Sequence, residues 1–198
     1  MSPKSQASAP PLSRVARRRA ATRQQILHAA SVRFAADGLD GVRLDQIADA
    51  ADVARATLYS HFPSKEALVC AIVRPALETA AREAAALAGL GPRQAIDSLL
   101  ALYLELWHRY PDALRIAYRA QDQGVSLGNL RGLHARFLRA LMRALDRAQR
   151  ARLLRLGDAA LAAHTLARVA VPLLELYRDH PDTDRLFVES LRGLLLRD

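Results

Sequence analysis

The stretch TRQQILHAASVRFAADGLDGVRLDQIADAADVARATLYSHFPSKEAL, residues 22–68, decides the fold. Ile26, Ala30 and Phe34 recur at four-residue spacing, which sets them in one apolar stripe of a helix over about 17–37. Gly38 closes that helix, as a residue free of Cβ strain commonly does. Leu44, Ile47, Ala48 and Ala51 follow at i, i+3, i+4 and i+7 and predict a short helix over 44–51. Residues 52–54 read as a turn. A third short helix is expected over 55–61, with Leu58 and Phe62 facing inward and Pro63 stopping it. Ser64 is placed to cap the next helix, which runs to about Leu87.

Two short helices joined by a three-residue turn beneath a longer one form a helix-turn-helix, a unit that lays its second short helix in the DNA major groove. The residue pattern is more specific than the periodicity. T-x-x-x-I-L-x-A-A from Thr22, F-x-x-x-G from Phe34, I-A-x-x-A-x-V from Ile47, T-L-Y-x-H-F from Thr57 and S-K-E-x-L from Ser64 resemble the N-terminal signature of the TetR family of transcriptional regulators. The resemblance covers about 47 residues. The remaining 130 or so match that family only in being helical, with the right number and length of helices.

The resemblance implies roles for the polar residues around the third helix. Arg55 opens it and could fork onto guanine O6 and N7. Thr57 offers a hydroxyl to phosphate or a methyl to thymine. Tyr59 and His61 sit where the family meets the phosphate backbone. Lys65, together with the free N–H groups opening the fourth helix, suits an anion. Arg43 reaches phosphate from the other side.

Three positions depart from the family pattern. Val42 and Arg43 replace the usual capping Thr or Ser, at about 1 kcal/mol. Asp52 replaces the usual Gly in the turn, and Asp tolerates a left-handed backbone. Ala54 replaces the usual Ser and cannot cap, so fraying of the third helix is expected.

Outward from this stretch, charge is concentrated at one end. The formal net charge is +9, and six of those charges lie in residues 1–23, which hold no acid. A basic cluster attracts polyanions. Arg14, Arg17, Arg18 and Arg19, with Arg23, read as an arm that follows the DNA backbone or enters the minor groove. Residues 1–13, rich in Ser, Pro and Ala, read as a disordered leader. The domains expected are therefore the leader 1–13, a DNA-binding head 14–65 and a ligand-binding and dimerisation domain 66–198.

The fold class expected is all-α, with a three-helix head and a larger helical regulatory domain, about nine helices in all. Helices are expected over about 92–109, 111–121, 129–151, 158–178 and 183–197, with a loop at 122–128. Pro75 and Pro172 predict kinks inside their helices. The resemblance implies that the last two helices pair with their copies in a second subunit. Their apolar stripes are Leu166, Val169, Leu173 and Leu176, and Phe187, Leu191, Leu194 and Leu195. It also implies a small-molecule pocket, for which Tyr103, Trp107, His108, Tyr118 and His134 are candidates.

An enzyme is disfavoured: no metal-ligand spacing, nucleophile motif or Gly-rich phosphate loop is present. No catalytic residue, metal or cofactor is expected. With no run of 18 apolar residues, no membrane span is expected. The single cysteine, Cys70, suits a reducing, cytoplasmic compartment and ordinary core packing. The partners expected are an operator duplex, a second copy of the chain and an unidentified small-molecule effector. A ligand-independent regulator controlled by protein partners is the alternative.

Overall fold

The computed structural model describes residues 13–122 and 128–197. Among these residues the chain forms nine α-helices, in the order α1 (Arg14–Asp37), α2 (Leu44–Ala50), α3 (Arg55–His61), α4 (Lys65–Ala86), α5 (Pro92–Arg109), α6 (Pro111–Asp122), α7 (Arg131–Arg150), α8 (Ala159–Tyr177) and α9 (Thr183–Leu195). No strand is present among them. An isolated antiparallel bridge joins Leu154 to Leu196.

The helix ends follow the sequence chemistry. Ser64 Oγ accepts the Ala67 N–H at 3.2 Å, and Asp158 Oδ1 accepts that of Leu161 at 2.6 Å. Pro92 opens α5 at a position where its missing N–H costs nothing. Gly38 ends α1 at φ 74°, a conformation open to glycine. Pro75 and Pro172 both lie inside unbroken helices.

Residues 1–12 of the expected leader, and 123–127 of the expected loop, lie outside the described residues. Ser13 is not leader. Its hydroxyl accepts the Ala16 N–H and caps α1, which begins three residues earlier than the periodicity predicted. Arg14, Arg17, Arg18 and Arg19 are therefore exposed residues of the first turns of α1.

Two hydrophobic clusters organise the molecule. The first joins Ile26, Phe34, Ile47, Leu58 and Phe62 of α1–α3 to Leu68 and Val73 of α4 and Ile116 of α6. The second gathers α4–α9 around Leu99, Leu100, Leu145, Leu166 and Phe187. The expected boundary at residue 65 is thus a change of register along α4, whose first turns belong to one cluster and its later turns to the other. Cys70 is buried in the first cluster, and burial pushes its thiol pKa up.

One sequence expectation changes with α8. Ala159–Tyr177, with a mean hydropathy of 1.4, is long and apolar enough to cross a membrane by length and composition. Its Leu166, Ala170 and Leu174 pack into the second cluster, and the helix lies against α7 and α9, while most of its apolar window stays uncovered by this chain.

Candidate nucleic-acid interface

The short helices are held by their apolar sides. Ile47 and Ala48 of α2 and Leu58 of α3 are buried against Phe34 and Ile26 of α1. The turn between them works because Asp52 takes φ 50°, the left-handed conformation expected of it. The Val53 N–H then donates to the Ala48 carbonyl at 3.0 Å and closes the turn. Ala54 gives α3 no side-chain cap, yet the helix runs from Arg55 to His61. In place of the missing hydroxyl cap on α2, the Gln46 side chain accepts the Arg43 N–H at 2.8 Å.

With those faces buried, α3 presents the opposite one outward. Arg55, Tyr59 and Ser60 are exposed, and Thr57 is half-buried. Arg55 is not loose. Its guanidinium lies 3.2 Å from the Asp45 carboxylate of α2, which Arg43 also approaches at 3.5 Å. One carboxylate thus gathers two of the expected contact residues on a single surface. Asp45 was missed in the sequence because nothing in its spacing ties it to residue 55; the turn alone brings them together.

His61 sits half-buried at the end of α3. Desolvation holds its pKa below the usual value, and the charges of Arg19 and Arg23 on α1 lower it further. Arg23 itself lies over the Phe62 ring at 4.9 Å. The basic residues of α1 are therefore neighbours of α3.

Lys65 also has a structural role. Its Nζ donates to the Leu39 carbonyl at 2.8 Å, tying the start of α4 to the loop between α1 and α2. That bond uses one of the three ammonium donors and leaves two for an anion.

The larger domain contains a cavity of about 530 Å³. Tyr103, Tyr118 and His134 line it, as expected, with Phe137, Leu141 and Ala170 among the apolar walls. Tyr103 packs edge-on against Phe137 at 6.2 Å, and burial pushes its phenol up to about 12. Burial lowers the pKa of His134 and favours the neutral imidazole.

Two other candidates do not reach this cavity. Trp107 is buried one turn further along α5, beyond the cavity, where the Arg115 guanidinium lies 4.7 Å over its ring. His108 is exposed, with Nε2 2.9 Å from the Asp184 carboxylate of α9. Phe137, Leu141 and Ala170 were missed because each belongs to an ordinary apolar stripe.

The stripes of α8 and α9 are also corrected. Leu166, Phe187, Leu191 and Leu195 are fully buried within this chain, so they build its own core. Val169 and Leu173 are half-buried. Leu176 and Leu194 are exposed, as is Leu161, which the stripe did not include.

A hydrogen-bonded side chain of α6 also ties the body to the head. Arg119 of α6 donates from Nη1 to the carbonyls of Phe34 at 3.0 Å and Ala35 at 2.9 Å, near the end of α1. Its neighbours Ala117 and Tyr118 line the cavity. A single helix therefore faces the cavity and grips the head.

A helix-turn-helix head on a larger helical body with a cavity defines a class: all-helical proteins of two parts, with the head built on α1–α3. The family profile described as "Bacterial regulatory proteins, tetR family" matches residues 26–72. The chain is 38% identical over 102 residues to the HTH-type transcriptional regulator RutR of Escherichia coli K12. That alignment takes in 48% of this chain and 46% of RutR, so the chain spans about half the length of the curated relatives it matches.

Solved structures extend the likeness over the whole fold. The probable transcriptional regulatory protein RHA5900 is 26% identical with a TM-score of 0.69, covering 87% of this chain and 96% of its own. AibR, solved in complex with isovaleryl coenzyme A and operator DNA, is 20% identical with a TM-score of 0.69, covering 88% and 98%. Residues 26–72 thus match the N-terminal domain of the TetR family of regulators, and the whole chain is similar in fold to these solved regulators.

Proposed function

We propose that this chain is a homodimeric transcriptional repressor, released from a palindromic operator by a small-molecule effector. The observation that carries the reading is the outward face of α3: Arg55 and Tyr59 exposed, Thr57 beside them, and the whole helix fixed from behind by Leu58. A short helix held so rigidly, with polar and cationic side chains outward, suits the major groove. Arg17, Arg18 and Arg23, on the adjoining α1, add charge for the flanking phosphates.

The dimer rests on the uncovered apolar surface of α8 and α9. Only 28% of the apolar window of α8 is buried, and Leu176 is 74% exposed. Such a surface calls for a partner, and two-fold pairing of the same face supplies one. Two heads then reach successive major grooves about 34–36 Å apart.

The effector reading rests on the cavity. Its walls are mostly apolar, with the Tyr103 and Tyr118 hydroxyls, His134 and Gln121 as polar points. A small, largely apolar molecule with one or two hydrogen-bonding groups fits that chemistry. AibR, of similar fold, binds an acyl coenzyme A together with operator DNA. A ligand that reshapes the cavity moves α6, and Arg119 passes the shift to the end of α1, mis-spacing the heads and shifting the population off DNA. The same cavity weighs against a ligand-independent regulator, for which a solid core would be expected.

The test is fluorescence anisotropy with duplexes from the DNA flanking the coding sequence, with and without candidate metabolites. Tight, salt-sensitive binding of two chains per duplex, weakened by one metabolite class, is the expected result. Tight binding insensitive to every metabolite would leave the head's role intact and remove the effector.

A further inference from the structure

On the opposite side of α7 from the effector cavity lies a second opening, a groove of about 260 Å³ between α4 and α7. One wall is alanine: Ala81, Ala84 and Ala85 of α4, with Ala88 just beyond. The other is Arg136, Arg139, Arg143 and Arg147 of α7. Their spacings of three, four and four residues stack four guanidinium groups on one face of one helix. The small residues opposite leave them room.

This charge is uncompensated. The sequence of α7 has six arginines and one acid, Asp146, which enters no ion pair among the described residues. Arg136, Arg139 and Arg143 make no hydrogen bond or ion pair among the described residues either. On α4, Glu78 is engaged by Arg74 and Glu83 by Arg82. Arg147 closes one end of the groove, where Nη2 donates to the Leu87 carbonyl at 2.6 Å. Its Nε is buried with no hydrogen-bond partner among the described residues. Like charges three and four residues apart repel, and a buried N–H without an acceptor is costly. An ordinary solvated basic face would intersperse acids and keep its donors in water.

We infer that the α4–α7 groove is a binding site for a phosphate-bearing small molecule, separate from the apolar cavity. Planar guanidinium groups take phosphate oxygens two at a time, and a row of them along one helix suits a diphosphate more than a single phosphate. The inference is independent of the DNA-binding reading, since the groove lies among helices of the body.

Inorganic pyrophosphate titrated into the full-length chain by isothermal calorimetry, at physiological salt, tests it. One saturable site per chain is expected. The double variant Arg139→Ala, Arg143→Ala keeps the helix, since both positions are exposed and alanine favours helices. It should weaken binding by about a hundredfold, roughly tenfold for each charge-assisted contact removed. Arg17→Ala, Arg18→Ala, which lowers the charge of the head by the same amount, should bind as the wild type does. Orthophosphate binding more weakly than pyrophosphate would support the row geometry. Equal loss in both double variants, which marks charge alone, would overturn the inference, as would the absence of saturable binding.

Discussion

The cluster under the head and the cluster in the body use the same apolar residue types to different ends. Around Phe34, Ile47 and Leu58 the side chains are buried completely, and the short helices they carry have no freedom to shift separately. Around Leu99 and Leu166 the packing is as tight, but beside Tyr103 and Phe137 it opens into about 530 Å³. A filled core fixes the angle of a recognition surface, because close-packed side chains transmit strain and resist rearrangement. An open one gives a ligand something to change.

The difference can be broken from the head side. Phe34→Ala removes a completely buried ring from a small core and should cost about 3–5 kcal/mol. Urea unfolding would detect it as a large fall in midpoint, and duplex affinity should vanish with the head. A loss below about 1 kcal/mol would mean that the head's core is not the close-packed support described.

A smaller effect is expected when the surface is altered and the core left intact. Arg55→Ala should weaken duplex binding by about 1–3 kcal/mol and relax preference at one base position, with unchanged thermal stability. Its partner Asp45 gives a finer reading: Asp45→Asn frees the guanidinium, so any change in affinity reports whether the pairing orients Arg55 or restrains it. Anisotropy on a panel of single-base variants measures both.

From the body side, Ala117→Phe projects a ring into the cavity. Saturable fluorescence of anilinonaphthalene sulfonate should fall several-fold, and duplex affinity should fall with it, because a ring on α6 beside Arg119 reshapes the cavity as an effector would. Dye binding unchanged by the ring would place the probe, and the sensing role, elsewhere.

The smallest effect is on pH. Burial lowers the pKa of His134 below its usual 6.5, so the unfolded chain takes up the proton more readily than the folded one. The stability that depends on a neutral His134 is complete above that usual value and is lost as pH falls below it. His134→Gln should therefore flatten the decline in urea midpoint between about pH 7.5 and 5.5. An identical decline in both proteins would show that His134 is not desolvated by the cavity.

The two regions also differed in how far the sequence revealed them. The head was legible because its residues lie within 47 positions, and helical spacing relates Ile26 to Phe34 or Ile47 to Ala51 directly. Asp52 in a left-handed turn and Ser64 as a cap followed from local chemistry alone. What failed there was long-range: Lys65 meets Leu39, 26 residues back, and Asp45 meets Arg55 across the turn. In the body the same spacing rule named stripes but not their partners. Tyr103 and Trp107 are four apart and both buried, yet the first borders the cavity and the second lies under Arg115. Phe187, Leu191 and Leu195 form the stripe expected of an interface, and α5 and α8 of the same chain cover it. A stripe records that a helix is covered, not by what.

The most direct measurement is the salt dependence of duplex binding by the wild type and by Arg55→Ala, Tyr59→Ala. The wild type should bind with log K falling linearly in log salt, with a slope close to the number of phosphates neutralised. The double variant should lose preference for the operator and retain the weak, salt-sensitive attraction that the α1 arginines provide. Operator preference that survives both substitutions in a folded protein would contradict the assignment of α3 as the reading helix.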